Sequence, residues 1–237
     1  MISIVGKLGR WAGIAFLAAM SLSCVGVDKS IYESPLNAAL CAVAVDGNIE
    51  AVEMDEAELL FKLVRRNDAF QPQLLAISLK DRVLGGWQAV LPFALLPEEA
   101  TLGMLGTAEL AEDYFPRNAW MAPDGYLGQG MDAKAAPALS LALPEAGAFL
   151  SVEATFTFVE KKWNIGLETA RVEATLRVYA MDREGKRLLL KTAEGLSKGD
   201  VRVLPGIFNA ETVMKLCQEA LDDAENALLE WLGRQAG

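Results

Sequence analysis

The sequence predicts an α+β fold, a small and mostly antiparallel sheet with amphipathic helices packed on one side. Three stretches predict it. Residues 150–158 place Leu150, Val152, Ala154, Phe156 and Phe158 on one face and Ser151, Glu153, Thr155 and Thr157 on the other. Residues 170–180 do the same with Ala170, Val172, Ala174, Leu176, Val178 and Ala180. Strict period two over this length marks strands with one wet face, so the other face must be covered. Residues 210–232 supply the cover, with Met214, Cys217, Leu221, Ala224, Leu228 and Trp231 at helical spacing.

The elements follow in chain order. The chain divides into a leader over residues 1–23, a tether over 24–36 and a single α+β domain over 37–237, with a helical, apolar insertion at about 83–146. "AALCAVAV" (38–45) reads as a buried strand that stops at the turn pair Asp46-Gly47, and "NIEAVEM" (48–54) as its hairpin partner. "DEAELLFKLVRR" (55–66) reads as an amphipathic helix. Its acidic start and basic end suit the helix dipole. "QLLAISL" (73–79) reads as a further strand.

The insertion is the odd part. From Val83 to Leu96 the only polar side chain is Gln88, while Gly85, Gly86 and Pro92 break the run. It is a poor rigid helix and too short to span a bilayer. After Pro97 a weak helix is expected, with a stripe of Met104, Leu105, Ala108, Ala111 and Phe115. Such a pair suits a mobile, membrane-seeking or lid-like element; the alternative is a helical pair packed on the sheet. Tyr114, Phe115, Trp120 and Tyr126 then crowd among turn residues, where aromatics either recognise an apolar ligand or pin a long loop. Gly125, Gly128 and Gly130 lack the strand–glycine–helix context of a dinucleotide fingerprint.

The C-terminal part closes the fold. The second period-two strand ends in the turn "DREG" (182–185) and returns through "KRLLLKTAEG" (186–195). Asn209 is the expected N-cap of the last helix and Gly233 its expected stop.

Composition limits the chemistry. The chain of 237 residues carries 22 Lys+Arg against 32 Asp+Glu, a net charge of −10. Removal of Lys7 and Arg10 with the leader leaves the remainder more acidic still. An acidic body argues against nucleic acid and against an electrostatic grip on anionic headgroups. A hydrophobic fraction of 52% supports a well-buried core. There is no histidine, so the commonest general base and metal ligand are both missing. Neither Cys41 nor Cys217 has neighbours suited to a zinc site; they are buried thiols or, in an oxidising compartment, a bridge. Asp222–Asp223 and Glu98–Glu99 read as solvated pairs. No catalytic residue, cofactor or metal is expected, and the chain does not read as an enzyme.

The N-terminus gives an address. Lys7 and Arg10 precede a wholly uncharged run from Trp11 to Leu22, the layout of a secretory signal. "FLAAMSLSC" (16–24) ends in small residues and a cysteine that cleavage would leave as the new N-terminus. This stretch resembles the lipobox of bacterial envelope lipoproteins, with Ser21 where the usual leucine stands and Leu22 one place later. An ordinary secretory signal with an incidental cysteine is the alternative. The resemblance implies acylation at Cys24, palmitate included, and a lipid-anchored protein of the cell envelope, at the outer membrane.

In layout the mature chain resembles spirochaetal outer-membrane-associated, lipid-binding lipoproteins. That resemblance implies amphipathic helices about an apolar cavity, with membrane lipid as partner through the anchor and an apolar segment. The expected lipid contacts are then Leu84, Trp87, Val90, Leu91, Phe93, Leu95, Leu96, Met104, Leu105, Phe115 and Trp120. The second function expected is a non-catalytic interaction module of an envelope assembly or secretion complex, with an envelope protein as partner.

Overall fold

The computed structural model describes residues 26–51, 70–128, 130–164, 167–203 and 209–236. In chain order the elements are β1 (Gly26–Val27), α1 (Ser30–Glu33), β2 (Leu36–Ala51), α2 (Pro72–Gly86), β3 (Phe93–Leu95), α3 (Glu98–Leu105), β4 (Trp120–Met121), α4 (Ala136–Ala142), β5 (Ala148–Asn164), β6 (Leu167–Asp182), β7 (Arg187–Leu196), β8 (Val201–Val203) and α5 (Ala210–Ala236). The fold is α+β as expected, but the sheet is mixed. Its order is β1-β7-β6-β5-β2-β3, with β4 added to β2 and β8 to β6. The expected meander β5-β6-β7 is antiparallel throughout. The departure lies at β2, which runs parallel to both β5 and β3. A parallel pair needs a long crossover, and residues 52–147 supply it.

Asp46-Gly47 is not a hairpin turn. The strand continues through it as an irregularity between Val45 and Ile49. There Asn48 N–H donates to Asp46 Oδ1 at 2.8 Å and Gly47 N–H to the Ala119 carbonyl at 2.9 Å. A second register shift between Leu40 and Ala42 switches the strand's parity. Ala38 and Leu40 therefore share the core face with Val43 and Val45. This is the geometry of a bulge, one extra residue in one strand. The expected helix over 55–66 lies outside the described residues, as does the end of "NIEAVEM".

The stretch 73–79 forms α2, not a strand. Pro72 occupies its first turn, and Leu75, Ala76, Leu79 and Val83 are buried at helical spacing. Much of the stretch expected as a tether joins the fold. Gly26 and Val27 pair with Leu190 and Leu189, and Ile31 is buried in the core.

The main core lies on the even-numbered face of β5 and β6, under α2 and α5. Asn209 caps α5 as expected, its Oδ1 accepting from Thr212 N–H at 3.1 Å. Gly233 does not stop the helix, which runs on to Ala236. Its buried stripe is wider than the sequence suggests. Val213, Leu216, Ala220 and Leu232 join Cys217, Leu221, Ala224 and Leu228, while Met214 and Trp231 stay half-buried at its margins. Gly195 lets α5 cross β7 at close range: a Cβ there would stand 2.7 Å from Ala224 Cα and closer still to Ala224 N and Ala220 O.

The helices are not all on one side. The opposite face is apolar only at one end, where Ala39, Cys41, Phe149 and Met181 form a second cluster with Leu105, Ala136 and Leu139 from α3 and α4. Cys41 and Cys217 are therefore free thiols on opposite faces of the sheet. Burial pushes the thiol pKa of each well up.

The inserted segment runs as a strap along the outer edge of β2. Residues 36–38 pair with β3, Ala42 bridges Leu127 and Val45–Asp46 pair with β4. An exposed edge is a template for unwanted pairing, and the strap covers most of the long β2 edge with short, bent pieces, leaving only the three-residue β3 outermost. The glycines and prolines that make residues 85–130 a poor helix suit the repeated turns of such a strap.

Candidate functional site

Cys24 lies outside the described residues. The structure separates the other eleven expected contact residues by burial. Trp87 is fully buried, and Leu91, Phe93 and Leu105 are buried with it. Leu84, Val90 and Leu95 are half-buried against the main core, and Leu96 and Met104 against the second cluster. Trp120 is half-buried, and Phe115 alone is exposed, at 44%. The expected stripe through Ala108, Ala111 and Phe115 does not form, because α3 ends at Leu105 and a single tight turn follows at 112–114.

Trp87 is tied in by more than packing. Its Nε1–H donates to Glu225 Oε1 at 2.6 Å, and Arg82 Nη1 reaches Glu225 Oε2 and Asp222 Oδ1, each at 2.6 Å. Gln218 also donates to Asp222 at 3.0 Å. These groups join α2 to α5 above the core. The carboxylate pairs expected as solvated thus have structural work. Asp223 accepts from Leu196 N–H at 3.0 Å, and Glu98 pairs with Lys80 at 2.9 Å.

Three expected residues meet at one opening. Leu91, Phe93 and Leu95 line a recess of about 430 Å³ beside β3, with Pro92, Ala94, Ile31, Tyr32, Pro35 and Gln88. β3 is the last strand on this side of the sheet. Its outward residue Ala94 is exposed between the buried Phe93 and the half-buried Leu95. Proline at 92 sets the strand's entry and removes one N–H. Gln88 is already engaged, its Nε2–H donating to the Leu84 carbonyl at 2.7 Å.

The polar atom of interest is Tyr32 Oη. It is buried and has no hydrogen-bond partner among the described residues. Burial raises its pKa, so the hydroxyl stays protonated and can donate. Buried polar atoms are nearly always paired, and Thr101 Oγ1 is a second unpaired one among the described residues. Sequence reasoning missed Ile31, Tyr32 and Pro35 because they fell in the expected tether; the apolar pair Ile31-Tyr32 in a polar stretch was the available signal.

A second opening lies on the opposite face. A groove of about 390 Å³ is lined by Leu110, Tyr114, Gly130, Asp132 and Lys134, among others. Several of its polar groups are paired. Tyr114 Oη donates to Asp132 Oδ1 at 2.6 Å, which holds the Asp132 carboxyl below its usual pKa. Gly130 N–H donates to Glu153 Oε1 at 2.9 Å, and Arg177 pairs with Glu153 at 3.1 Å. Leu141, 84% exposed, lines the adjoining recess. Among the described residues no group of three or more carboxylates and thiols could hold a metal ion, and no helix is long and apolar enough to cross a membrane.

No protein-family model matches the chain, and no curated protein matches it. Among solved structures, the chain is similar to lipoprotein GNA1162 from Neisseria meningitidis at 13% identity and a TM-score of 0.30, covering 81% of this chain and 99% of that one. It is also similar to the hypothetical protein CT253 from Chlamydia trachomatis at 11% identity and a TM-score of 0.30, covering 86% and 94% respectively.

Proposed function

We propose that the protein is a lipid-anchored, non-catalytic interaction module of the cell envelope, held by an acylated Cys24, whose β3 recess receives an extended apolar segment of an envelope protein. The observation that carries this reading is the recess, lined by Ile31, Tyr32, Leu91 and Phe93, that opens beside the edge strand β3. Strand addition at an edge gives a partner main-chain hydrogen bonds, and pockets for alternate side chains give it selectivity. Leu91, Phe93 and Ile31 offer such a pocket.

Membrane insertion by the Val83–Leu96 run is the competing reading, and it is costly. It would pull Trp87, Leu91 and Phe93 out of the core and leave a cavity beneath α5 and β2. Glu225 would also lose its indole partner.

The test is a photo-crosslinking residue at Ala94, in the full chain, expressed in the native envelope. A discrete protein adduct, absent when the crosslinker stands at exposed Glu184 on the β6–β7 turn, is expected. Adducts to phospholipid alone would overturn the interaction reading and return the recess to lipid binding.

A further inference from the structure

Cys24 is two residues from Gly26, and Gly26 is already a strand residue paired with Leu190. Two peptide units reach at most about 7 Å. An acyl group on Cys24 therefore cannot hang the domain on a long leash. It holds the β1–β7 edge of the sheet against the headgroup layer, and the domain has few ways to turn.

That edge has the composition of an interfacial surface. Lys191, next in the chain to Leu190, sets its Nζ over the Trp231 ring at 5.2 Å from the centroid. Trp231 is a half-buried residue at the margin of the main core. Exposed Arg187 stands at the other end of the same strand. Arg234 lies one helical turn beyond Trp231 and pairs with Glu230 at 2.5 Å. Glu194 is the exposed carboxylate farther along β7. In a chain of net charge −10, an amphipathic ring beside cations at the attachment point is a local reversal. Trp prefers the headgroup level of a bilayer, and Lys and Arg reach toward it with apolar stems.

We infer that the β1–β7 edge, with Trp231 and Lys191, is the face the protein lays on the bilayer, while the β3 recess at the far edge of the sheet is left for a partner. The inference rests on acylation of Cys24, as the proposed function does. It assigns membrane contact to Trp231 and Lys191 instead of to the expected contacts between Leu84 and Trp120.

The experiment uses the native acylated protein, its lipid mass verified first, in vesicles of phosphatidylcholine and phosphatidylglycerol carrying bromine on the acyl chains. Bromine quenches indoles at the interface. Trp231→Phe is expected to reduce the quenching at least about twofold, since Trp87 is buried and Trp120 lies on β4 beside β2. A second variant keeps Trp231 and inserts ten Gly and Ser residues between Cys24 and Gly26, a spacer of about 17 Å root-mean-square length. It is expected to lose quenching to the same degree with the fold untouched. Acylated protein whose quenching is unchanged by both variants would overturn the inference and leave the anchor intact. Native protein without lipid mass would overturn the reading beneath it.

Discussion

Replacing Trp87 with phenylalanine separates a core role from a membrane role. The indole is fully buried, and its Nε1–H donates to a carboxylate whose other oxygen is held by Arg82. The phenyl ring fills most of the space but leaves Glu225 Oε1 without that donor and opens a small void. A lost hydrogen bond to a charged group costs about 1.5–3 kcal/mol, and the void adds to it, for a total of roughly 2–4 kcal/mol. For a domain of this size that lowers Tm by roughly 4–16 °C. The assay is thermal and urea unfolding followed by far-ultraviolet circular dichroism, so that loss of the indole does not disturb the signal. Liposome flotation of the unacylated domain runs beside it. The account expects a stability loss with no change in flotation. Unchanged stability with reduced flotation would refute it and place Trp87 in contact with lipid.

Two further predictions test the frame that holds the recess and the proposed membrane face. Gly195→Ala forces a methyl onto the α5 backbone at Ala220 and Ala224, which cannot rotate aside. The variant should lose about 3 kcal/mol or more in urea titration, whereas Gly85→Ala, with open space at its Cβ, should not destabilise the fold. Asp28 is held at a pKa of about 2 by the Lys186 ammonium and by Ser30. A carboxyl with a depressed folded pKa adds stability above its unfolded value, near pH 4, and loses it as pH falls toward 2. Asp28→Asn should therefore flatten the stability curve across that window and leave its slope above pH 5 unchanged; an unaltered acid limb would contradict the pairing.

Much of the fold was legible because period and capping are local. Residues 150–158 and 170–180 alternate too strictly to be anything but strands, although Ser151 and Glu153 on the expected wet face are buried, and Asn209 stands where α5 needs a cap. What was misread depends on contacts distant in sequence. Asp46-Gly47 has the chemistry of a hairpin turn, but Ala119 meets Gly47 and β4 meets Val45, so the chain stays extended. The stretch 73–79 is short and apolar, and only Pro72 and the burial of Leu75, Leu79 and Val83 distinguish a helix from a strand. The unbroken apolar run 38–45 marks β2 as a strand buried on both faces, as parallel strands are, but does not name its partner or direction.

The site was the least legible part. The apolar run from Val83 to Leu96 was visible as hydrophobic, but its destination was not. Hydropathy does not distinguish a side chain packed inside from one facing lipid. Trp87 is drawn inward by Glu225, which lies 138 residues away. Leu91, Phe93 and Leu95 gain an opening only because α1 folds back with Tyr32 beside them.

The intact mass of the native protein, extracted from the membrane fraction of its own cells, tests the central claim most directly. The account predicts a chain beginning at Cys24 and heavier than its sequence by two or more acyl chains. An unmodified chain that still carries Met1, recovered from the aqueous fraction, would contradict it.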